Sequence, residues 1–247
     1  MAQRAGQSSA DDLPFYDGRP GGIDLSGWLA VLGAIVAAFL ILVARPAWPQ
    51  SGPLSVVPAI AFTSVTLIAL ALVCGRNWIA LFRYNGIGAF GRSLLFAVAT
   101  MTLSFAAGVV VNAWVPLRPN PVNEILAGMG PGEITVFLVA TSLQLIGEEV
   151  VTILPLLAVM WVCYEKFSLS RRASLVGGVA VSTIWFSSMH LPTYDWNVIQ
   201  CFGVIGISRL VMTWPYIHTK NLWVSAGAHD WSLFAVSYAG SHAPVGL

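Results

Sequence analysis

The sequence predicts an all-α, polytopic transmembrane bundle of about seven helices, or eight if one long apolar segment crosses twice. Of its 247 residues, 57% are hydrophobic and only 9% are charged, whereas a soluble domain has roughly 25% charged residues. So few charged side chains cannot cover a water-exposed surface, and we expect a lipid bilayer around the chain. The formal net charge of +1 indicates no nucleic-acid partner.

Seven apolar segments support this fold class, because a membrane-spanning helix needs about 20 apolar residues, with about 17 to 25 tolerated. They are 26–44, 54–74, 94–115, 134–164, 173–191, 198–214 and 222–239. The fourth would be about 46 Å long as one helix. It could cross once, kinked near Pro155, or form two short passes.

The N-terminal residues 1–25 differ from the rest of the chain. They are polar and rich in Gly, Pro and Asp. They lack the basic region followed by an apolar region that marks a cleavable signal peptide. We therefore expect a flexible or surface-lying tail, followed by a single transmembrane bundle over 26–247.

The distribution of basic residues favours a single crossing by 134–164, because cytoplasmic loops are enriched in Lys and Arg. With seven crossings and the N-terminus inside, nine basic residues lie in inner segments and two in outer segments. The inner ones are Arg4, Arg19, Arg76, Arg83, Arg92, Lys166, Arg171, Arg172 and Lys220, and the outer ones are Arg45 and Arg118. Splitting the segment would leave five inside and six outside. We expect a multi-pass membrane protein with a cytoplasmic N-terminus.

Two adjacent acids, Glu148 and Glu149, lie in the apolar stretch LIGEEVVTILP. Ionisable residues inside a membrane usually face the bundle interior or a water-filled cavity. Because residues at i, i+3 and i+4 share a helix face, Glu148 shares its face with Thr141, Gln144 and Thr152, whereas Glu149 points about 100° away. We expect Glu148 in a polar interior, and Glu149 needs a different partner. The alternative is a structural carboxylate pair that hydrogen-bonds neighbouring helices.

Two histidines extend the pattern to other helices. His190 follows Phe186 by one turn, and His229 shares a face with Ser225 and Ser232 in the last apolar segment. A carboxylate can take a proton from water, and two neutral imidazoles can hold that water or bind a metal that activates it. These residue types predict peptide-bond hydrolysis inside the membrane. The alternative is a proton relay in a transporter, which also uses buried Glu and His.

The blocks GEEVV, FSSMH and TKNLWVSAGAHDW resemble the three motifs of the CPBP intramembrane proteases. This family includes CAAX-processing endopeptidases, abortive-infection proteins and bacteriocin-processing or bacteriocin-immunity proteins. Its pattern is EExxxR, then FxxxH, then HxxxN or HxxxD, and the blocks match it in order over about 134–240. The resemblance implies that Glu148 is the general base, that Glu149 is an orienting acid, and that His190 and His229 position the attacking water.

The resemblance also implies a peptide or prenylated-protein substrate in or at the membrane, but it leaves the cofactor open. Glu148, His190 and His229 could ligate a divalent metal such as Zn²⁺. A metal-free mechanism that depends on the glutamate fits the same residues equally well.

The chain departs from the family pattern at two positions, where Ile153 replaces the arginine and Leu233 replaces the Asn or Asp. These losses favour a catalytically impaired relative that acts as a membrane scaffold or bacteriocin-immunity protein, whereas the retained acids and histidines favour a protease. In place of the missing Asn, we expect Ser232 to donate a hydrogen bond to the oxyanion. Asp230 is the poorer candidate because it can donate only when protonated.

Arg209 lies inside an apolar segment, VIGISRLVMTW, without an evident partner. A buried unpaired guanidinium is costly, and so is an unpaired carboxylate. We therefore expect Arg209 to pair with Glu149 across helices and to replace the arginine that the family carries at the position of Ile153. The alternative is that the Arg209 side chain extends to the cytoplasmic interface.

Overall fold

The structure is a computed structural model that describes residues 12–44, 48, 52–83 and 86–242, with the side chains of all of these except 53, 123, 233 and 236–242. Within these ranges the chain is helical and contains no β-strand, which confirms the all-α fold class. The described α-helices are α1 (Leu25–Val43), α2 (Val57–Cys74), α3 (Gly88–Asn112), α4 (Pro121–Ala127), α5 (Pro131–Trp161), α6 (Arg171–Met189), α7 (Val198–Gln200), α8 (Gly206–Thr219) and α9 (Leu222–His242).

Each of the seven predicted apolar segments forms a long helix. The segment 134–164 forms the single helix α5, which contains Pro155 and continues into a π-helical turn, Val162–Lys166. A second π-helical turn, Cys201–Ile205, joins α7 and α8. The fourth segment is therefore one continuous helix and not two short ones.

Five helical segments of the described chain are long and apolar enough to cross a membrane, so the expected count of seven crossings is not confirmed. They are Leu25–Val43, Leu54–Leu81, Gly88–Asn112, Pro131–Lys166 and Val198–Thr219. The helices α6 and α9 have comparable lengths of 19 and 21 residues. They fall outside this set because they contain several Ser residues, together with Arg171 and Arg172 in α6 and His229 and Asp230 in α9.

Contacts between the segments that link the helices show that successive long helices run in opposite directions. At one end of the bundle, the backbone carbonyl of Asp12 accepts a hydrogen bond from Arg83 (2.5 Å), and its carboxylate accepts one from Arg171 (Nε to Oδ2, 2.6 Å). At the other end, Arg118 pairs with Asp195 (2.9 Å). We call these the basic end and the Asp195 end. Of the nine basic residues that we predicted on the inner side of the membrane, those that the structure describes lie at the basic end.

The N-terminal segment, residues 12–24, packs into the basic end, which differs from the flexible or surface-lying tail that we expected. Phe15 and Tyr16 are buried in the same apolar core as α5. The carboxylate of Asp12, which accepts hydrogen bonds from Arg171 and from the Tyr16 hydroxyl (2.8 Å), holds the segment in place. The polar composition of the whole segment conceals a short apolar stretch, LPFY, that has enough surface to pack. The residues before Asp12 lie outside the described part of the chain.

Helix α5 packs closely against α6 through a glycine, and this contact sets the level of the site. A Cβ atom at Gly178 would lie 2.6 Å from the carbonyl oxygen of Leu156, so only glycine allows the two backbones to approach this closely. The two helices are antiparallel. Phe186 lies eight residues after Gly178 on α6, and Glu148 lies eight residues before Leu156 on α5. These two residues are therefore at the same level of the bundle.

Candidate active site

The predicted site residues come from four helices that meet in the middle of the bundle. Glu148 and Glu149 lie on α5, Arg209 on α8 and His229 on α9, and His190 follows directly after α6. The structure brings Glu149, Arg209 and His229 into direct contact and places Glu148 beside His229.

The expected ion pair between Arg209 and Glu149 is present. The two guanidinium NH groups of Arg209 donate to the two carboxylate oxygens of Glu149 at 2.6 and 2.9 Å, and both side chains are fully buried. The remaining Nε–H of Arg209 donates to the hydroxyl of Thr213 (3.1 Å), and the guanidinium lies 5.1 Å from the centre of the Phe186 ring. Such two-pronged pairs are the strong form of this interaction. Arg209 therefore does not extend to the interface.

His229 connects the two acids. Its Nδ1 lies 3.1 Å from a carboxylate oxygen of Glu149. Because Arg209 holds Glu149 as an ionised acceptor, we assign the hydrogen of a neutral His229 ring to Nδ1. The Nε2 of His229 then presents a lone pair, and it lies 3.9 Å from Oε2 of Glu148. This distance is too long for a direct hydrogen bond. Both atoms are acceptors, so one water molecule between them could donate a hydrogen bond to each.

Glu148 has fewer partners than Glu149. Its Oε1 accepts a hydrogen bond from Gln144 (2.9 Å), and about a tenth of its side chain is exposed (10%). The Thr152 hydroxyl donates to the backbone carbonyl of Glu148 (2.6 Å), not to its carboxylate. The expected polar face therefore supplies one partner, Gln144, and leaves Oε2 turned towards His229.

His190 lies near this pair without bonding to it. Its Nδ1 lies 2.9 Å from the carbonyl oxygen of Phe186, one turn earlier, and the two rings are 4.5 Å apart. The ring of His229 lies 6.4 Å from that of Phe186. The two histidines thus lie around the same phenylalanine, and His190 makes no hydrogen bond to Glu148 or His229 among the described contacts.

The arrangement does not fit the metal-ligand set that we considered. Within the described residues, no three His, Cys, Asp or Glu side chains are placed so that they could hold one metal ion. Glu148 and His229 approach each other, whereas the Nδ1 of His190 is hydrogen-bonded to the carbonyl of Phe186, so only its Nε2 is left for a ligand.

The two residues that we expected to replace the missing family Asn do not contact the acids or the histidines through a hydrogen bond. The Ser232 hydroxyl donates to the carbonyl oxygen of Ala228 in its own helix (2.9 Å). Asp230 has one buried carboxylate oxygen, Oδ1, without a hydrogen-bond partner in the described part of the chain. The side chain of Leu233 lies outside the described residues.

Tyr194 lies beside His190 and was not among the residues that we predicted. Its ring stacks on that of His190, with the ring centres 6.5 Å apart and the planes at 22°. Burial, together with the nearby Cys201 and Glu148, raises the pKa of Tyr194 to about 12, so its hydroxyl keeps its proton at neutral pH. This hydroxyl makes no hydrogen bond to another described residue. Tyr194 follows His190 by four residues, but the helix ends at Met189, so helical spacing could not place it.

The comparisons with known proteins agree with the motif analysis. Residues 130–231 match the model of a protein family described as Rce1-like, type II CAAX prenyl endopeptidase. This region contains both acids, both histidines and Arg209. No curated protein and no solved structure matches the chain. The family is one of membrane-embedded proteases, and the apolar helices agree with an integral membrane protein. The match to residues 130–231 confirms the resemblance to the CPBP proteases that the motifs indicated.

Proposed function

We propose that the chain is an intramembrane endopeptidase in which Glu148 activates a water molecule held between its carboxylate and Nε2 of His229. The observation that carries this proposal is the position of His229, whose two ring nitrogens face the two acids at 3.1 and 3.9 Å. The ionised Glu149 holds the ring with its lone pair towards Glu148. The water would donate one hydrogen to each of these two acceptors, which leaves its oxygen free to attack.

In the proposed reaction, Glu148 removes a proton from the water, and the resulting hydroxide attacks the carbonyl carbon of the peptide bond. The carbonyl oxygen becomes the oxyanion of a tetrahedral intermediate. Glu148 then returns the proton to the amide nitrogen as the carbon–nitrogen bond breaks, which leaves a new amine and a new carboxylic acid. The second proton of the water stays on this acid until it ionises and passes the proton to the new amine or to solvent. One carboxyl group thus acts first as general base and then as general acid.

We assign Tyr194 as the donor to the oxyanion, in place of the family Asn that is replaced by Leu233. Its ring stacks on that of His190, and its hydroxyl keeps its proton at neutral pH and has no other described acceptor. A fixed donor in a buried site stabilises developing negative charge more than water does. Ser232 is the weaker candidate because its hydrogen is directed to the carbonyl of Ala228.

The alternative, a catalytically impaired scaffold or immunity protein, rested on the loss of the family arginine and Asn. Arg209 now replaces the arginine through space, since it pairs with Glu149 from a neighbouring helix. Arg209 keeps Glu149 ionised in a buried position, and Glu149 in turn orients the ring of His229. This observation favours the protease over the alternative.

The test is cleavage of an internally quenched peptide that ends in a prenylated CAAX-type sequence, by the purified protein in detergent micelles. The same peptide without the prenyl group reports whether the lipid is required. Glu148→Gln should abolish cleavage, whereas Glu165→Gln, an exposed acid just beyond α5, should leave it unchanged. Equal cleavage by the wild type and Glu148→Gln would contradict the proposal.

A further inference from the structure

The turn that carries Tyr194 has an unfavourable backbone conformation. It follows the end of α6 at Met189, and two successive residues in it, Asp195 and Trp196, have φ values of 53° and 59°. These values lie in the left-handed region, which is unfavourable for any residue that has a Cβ atom. Such residues keep this conformation only where surrounding contacts hold them in it. The turn therefore needs support from other parts of the bundle.

The hydrogen bonds inside the turn shape it but do not attach it to the rest of the bundle. The backbone N–H of Tyr194 donates to the carbonyl oxygen of His190 (3.2 Å). The backbone N–H of Asn197 donates in turn to the carbonyl oxygen of Tyr194 (3.1 Å). The ring of Tyr194 is buried and stacks on that of His190. The position of this ring therefore depends on where the whole turn is held.

Gln200 attaches this turn to another segment that links two helices, residues 113–120 between α3 and α4. It lies at the end of α7, is buried, and bonds to both polar backbone groups of Arg118. Its Oε1 accepts a hydrogen bond from the Arg118 N–H (2.8 Å), and its Nε2 donates one to the Arg118 carbonyl oxygen (2.9 Å). The pairing requires one acceptor and one donor on the same side chain, which an amide supplies. A carboxylate or an apolar side chain of similar size could not make both bonds.

The other contacts between the two segments are more exposed. The Nδ2 of Asn197 donates to the carbonyl oxygen of Pro116 (3.2 Å), and its Oδ1 accepts from the backbone N–H of Gln200 (3.1 Å). The ion pair between Arg118 and Asp195 has both side chains more than half exposed (59% and 73%), so it contributes little. The amide of Gln200 is buried, and its loss leaves two backbone groups of Arg118 without these partners. Among these contacts, Gln200 therefore contributes most to holding the turn.

We infer that Gln200 is a positioning residue of the proposed protease site. It holds the turn after α6 in its left-handed conformation, and the turn holds the ring of Tyr194 against His190. This inference rests on the proposed function, in which the Tyr194 hydroxyl donates to the oxyanion. Gln200 makes no hydrogen bond to Glu148, His190 or His229 among the described contacts, so it acts on the site through the turn.

The first experiment replaces Tyr194 by fluorotyrosine and records its fluorine NMR resonance in the full-length protein in detergent micelles. Gln200→Met has a similar volume but lacks the amide. Asn120→Ala is the matched control, because Asn120 caps α4 in the same linking segment and does not bond to the turn among the described contacts. We expect the resonance of the wild type in Asn120→Ala, and a shifted or split resonance in Gln200→Met. An unchanged resonance in Gln200→Met would overturn the inference. If Gln200→Met does not fold, Gln200→Asn replaces it, because its shorter amide cannot reach both groups of Arg118.

A glycine in the turn tests whether Gln200 acts by supporting the left-handed conformation. Glycine adopts this conformation without a steric penalty. Adding Trp196→Gly to Gln200→Met should therefore return the fluorine resonance towards its wild-type position. A double variant whose resonance is displaced as far as that of Gln200→Met would show that Gln200 does not act through the backbone of the turn.

The second measurement is cleavage of the quenched peptide. Gln200→Met should lower the turnover number about tenfold, less than the loss of an oxyanion donor, with little change in KM. Added to Tyr194→Phe, it should cause no further loss, because its effect passes through the Tyr194 hydroxyl. Losses that multiply in this double variant would overturn the inference. Absence of cleavage by the wild type, or full turnover of Tyr194→Phe, would instead contradict the proposed function, and the fluorine resonance would still decide whether Gln200 positions Tyr194.

Discussion

The surroundings of Glu149 and Glu148 lie on two sides of the same helix and differ in almost every respect. Glu149 is fully buried and accepts hydrogen bonds from Arg209 through both oxygens, and from His229 through one of them. Glu148 keeps a tenth of its side chain exposed and accepts one described hydrogen bond, from Gln144. One carboxylate is saturated with donors, and the other has a free oxygen.

This difference separates a structural charge from a reactive one. A buried carboxylate with a guanidinium partner stays ionised and cannot take a proton without losing that pair. A carboxylate with an unoccupied oxygen near an imidazole lone pair can exchange a proton with a water between them. We therefore expect the two acids to have different roles, although they are adjacent in the chain and chemically identical.

The largest expected effect separates the two acids by activity. Glu148→Gln should lower the turnover number by about 10²- to 10⁴-fold, the usual contribution of a general base. It should change the free energy of unfolding by about 1 kcal/mol or less, because Glu148 is partly exposed and has few partners. Cleavage of the quenched peptide and unfolding in detergent–SDS mixtures measure the two quantities. A large loss of stability with unchanged turnover would reverse the roles of Glu148 and Glu149.

The next effect concerns the Arg209–Glu149 pair and is measured by stability. Arg209→Met should lower the free energy of unfolding by about 3–5 kcal/mol, because it leaves the buried carboxylate of Glu149 without its cation. Adding Glu149→Leu should recover much of this loss, since an apolar pair of similar volume leaves no buried charge. The double variant should still be inactive, because His229 loses the acceptor that orients its ring. Additive losses in the double variant would show that Arg209 and Glu149 are not coupled.

A smaller effect concerns Tyr194, the proposed donor to the oxyanion. Tyr194→Phe should lower the turnover number by about 10²-fold with little change in KM, since it removes one donor to the oxyanion. Ser232→Ala is the matched control, because its hydroxyl is already bound to Ala228, and it should retain turnover. The assignment of Tyr194 fails if Ser232→Ala is the more damaging of the two variants.

The smallest effect uses a second acid–arginine pair, at the surface of the basic end. Burial by itself raises the pKa of Asp12, but hydrogen bonds from Arg171 and Tyr16 outweigh it and hold the pKa below its usual value. Asp12 therefore stabilises the fold fully above the unfolded pKa of about 3.9, and this contribution is lost as the pH falls through the lowered folded pKa. Asp12→Asn should cost about 1 kcal/mol near neutral pH, as expected of a partly exposed pair.

Thermal unfolding in detergent at neutral and acidic pH measures this prediction. The wild type and Asp12→Asn should differ near neutral pH and converge in acid. A difference that persists or grows in acid would show that the Asp12 carboxylate does not provide the stability of this contact.

The sequence predicted the positions of the helices better than it predicted the side-chain contacts between them. Apolar length located seven helices. The family resemblance predicted that Glu148, His190 and His229 form one site, and the structure places His229 beside Glu148, whereas His190 is bonded to the carbonyl of Phe186. The pairing of Arg209 with Glu149 was also predictable, because two buried opposite charges without other partners must find each other. The hydrogen bond from His229 to Glu149 was not predictable, because the position of a residue on its own helix does not determine which side chain of another helix faces it.

The amino-acid sequence by itself determined that this protein is a bundle of apolar helices whose motifs resemble those of the CAAX-type proteases, since both depend on composition and on spacing along the chain. Only the tertiary structure decided how these residues are brought together. The close contact of Gly178 with Leu156 sets the level of α6 against α5, and the packing of Phe15 closes the basic end. These contacts join residues that are distant in the chain, and their geometry depends on how whole helices pack.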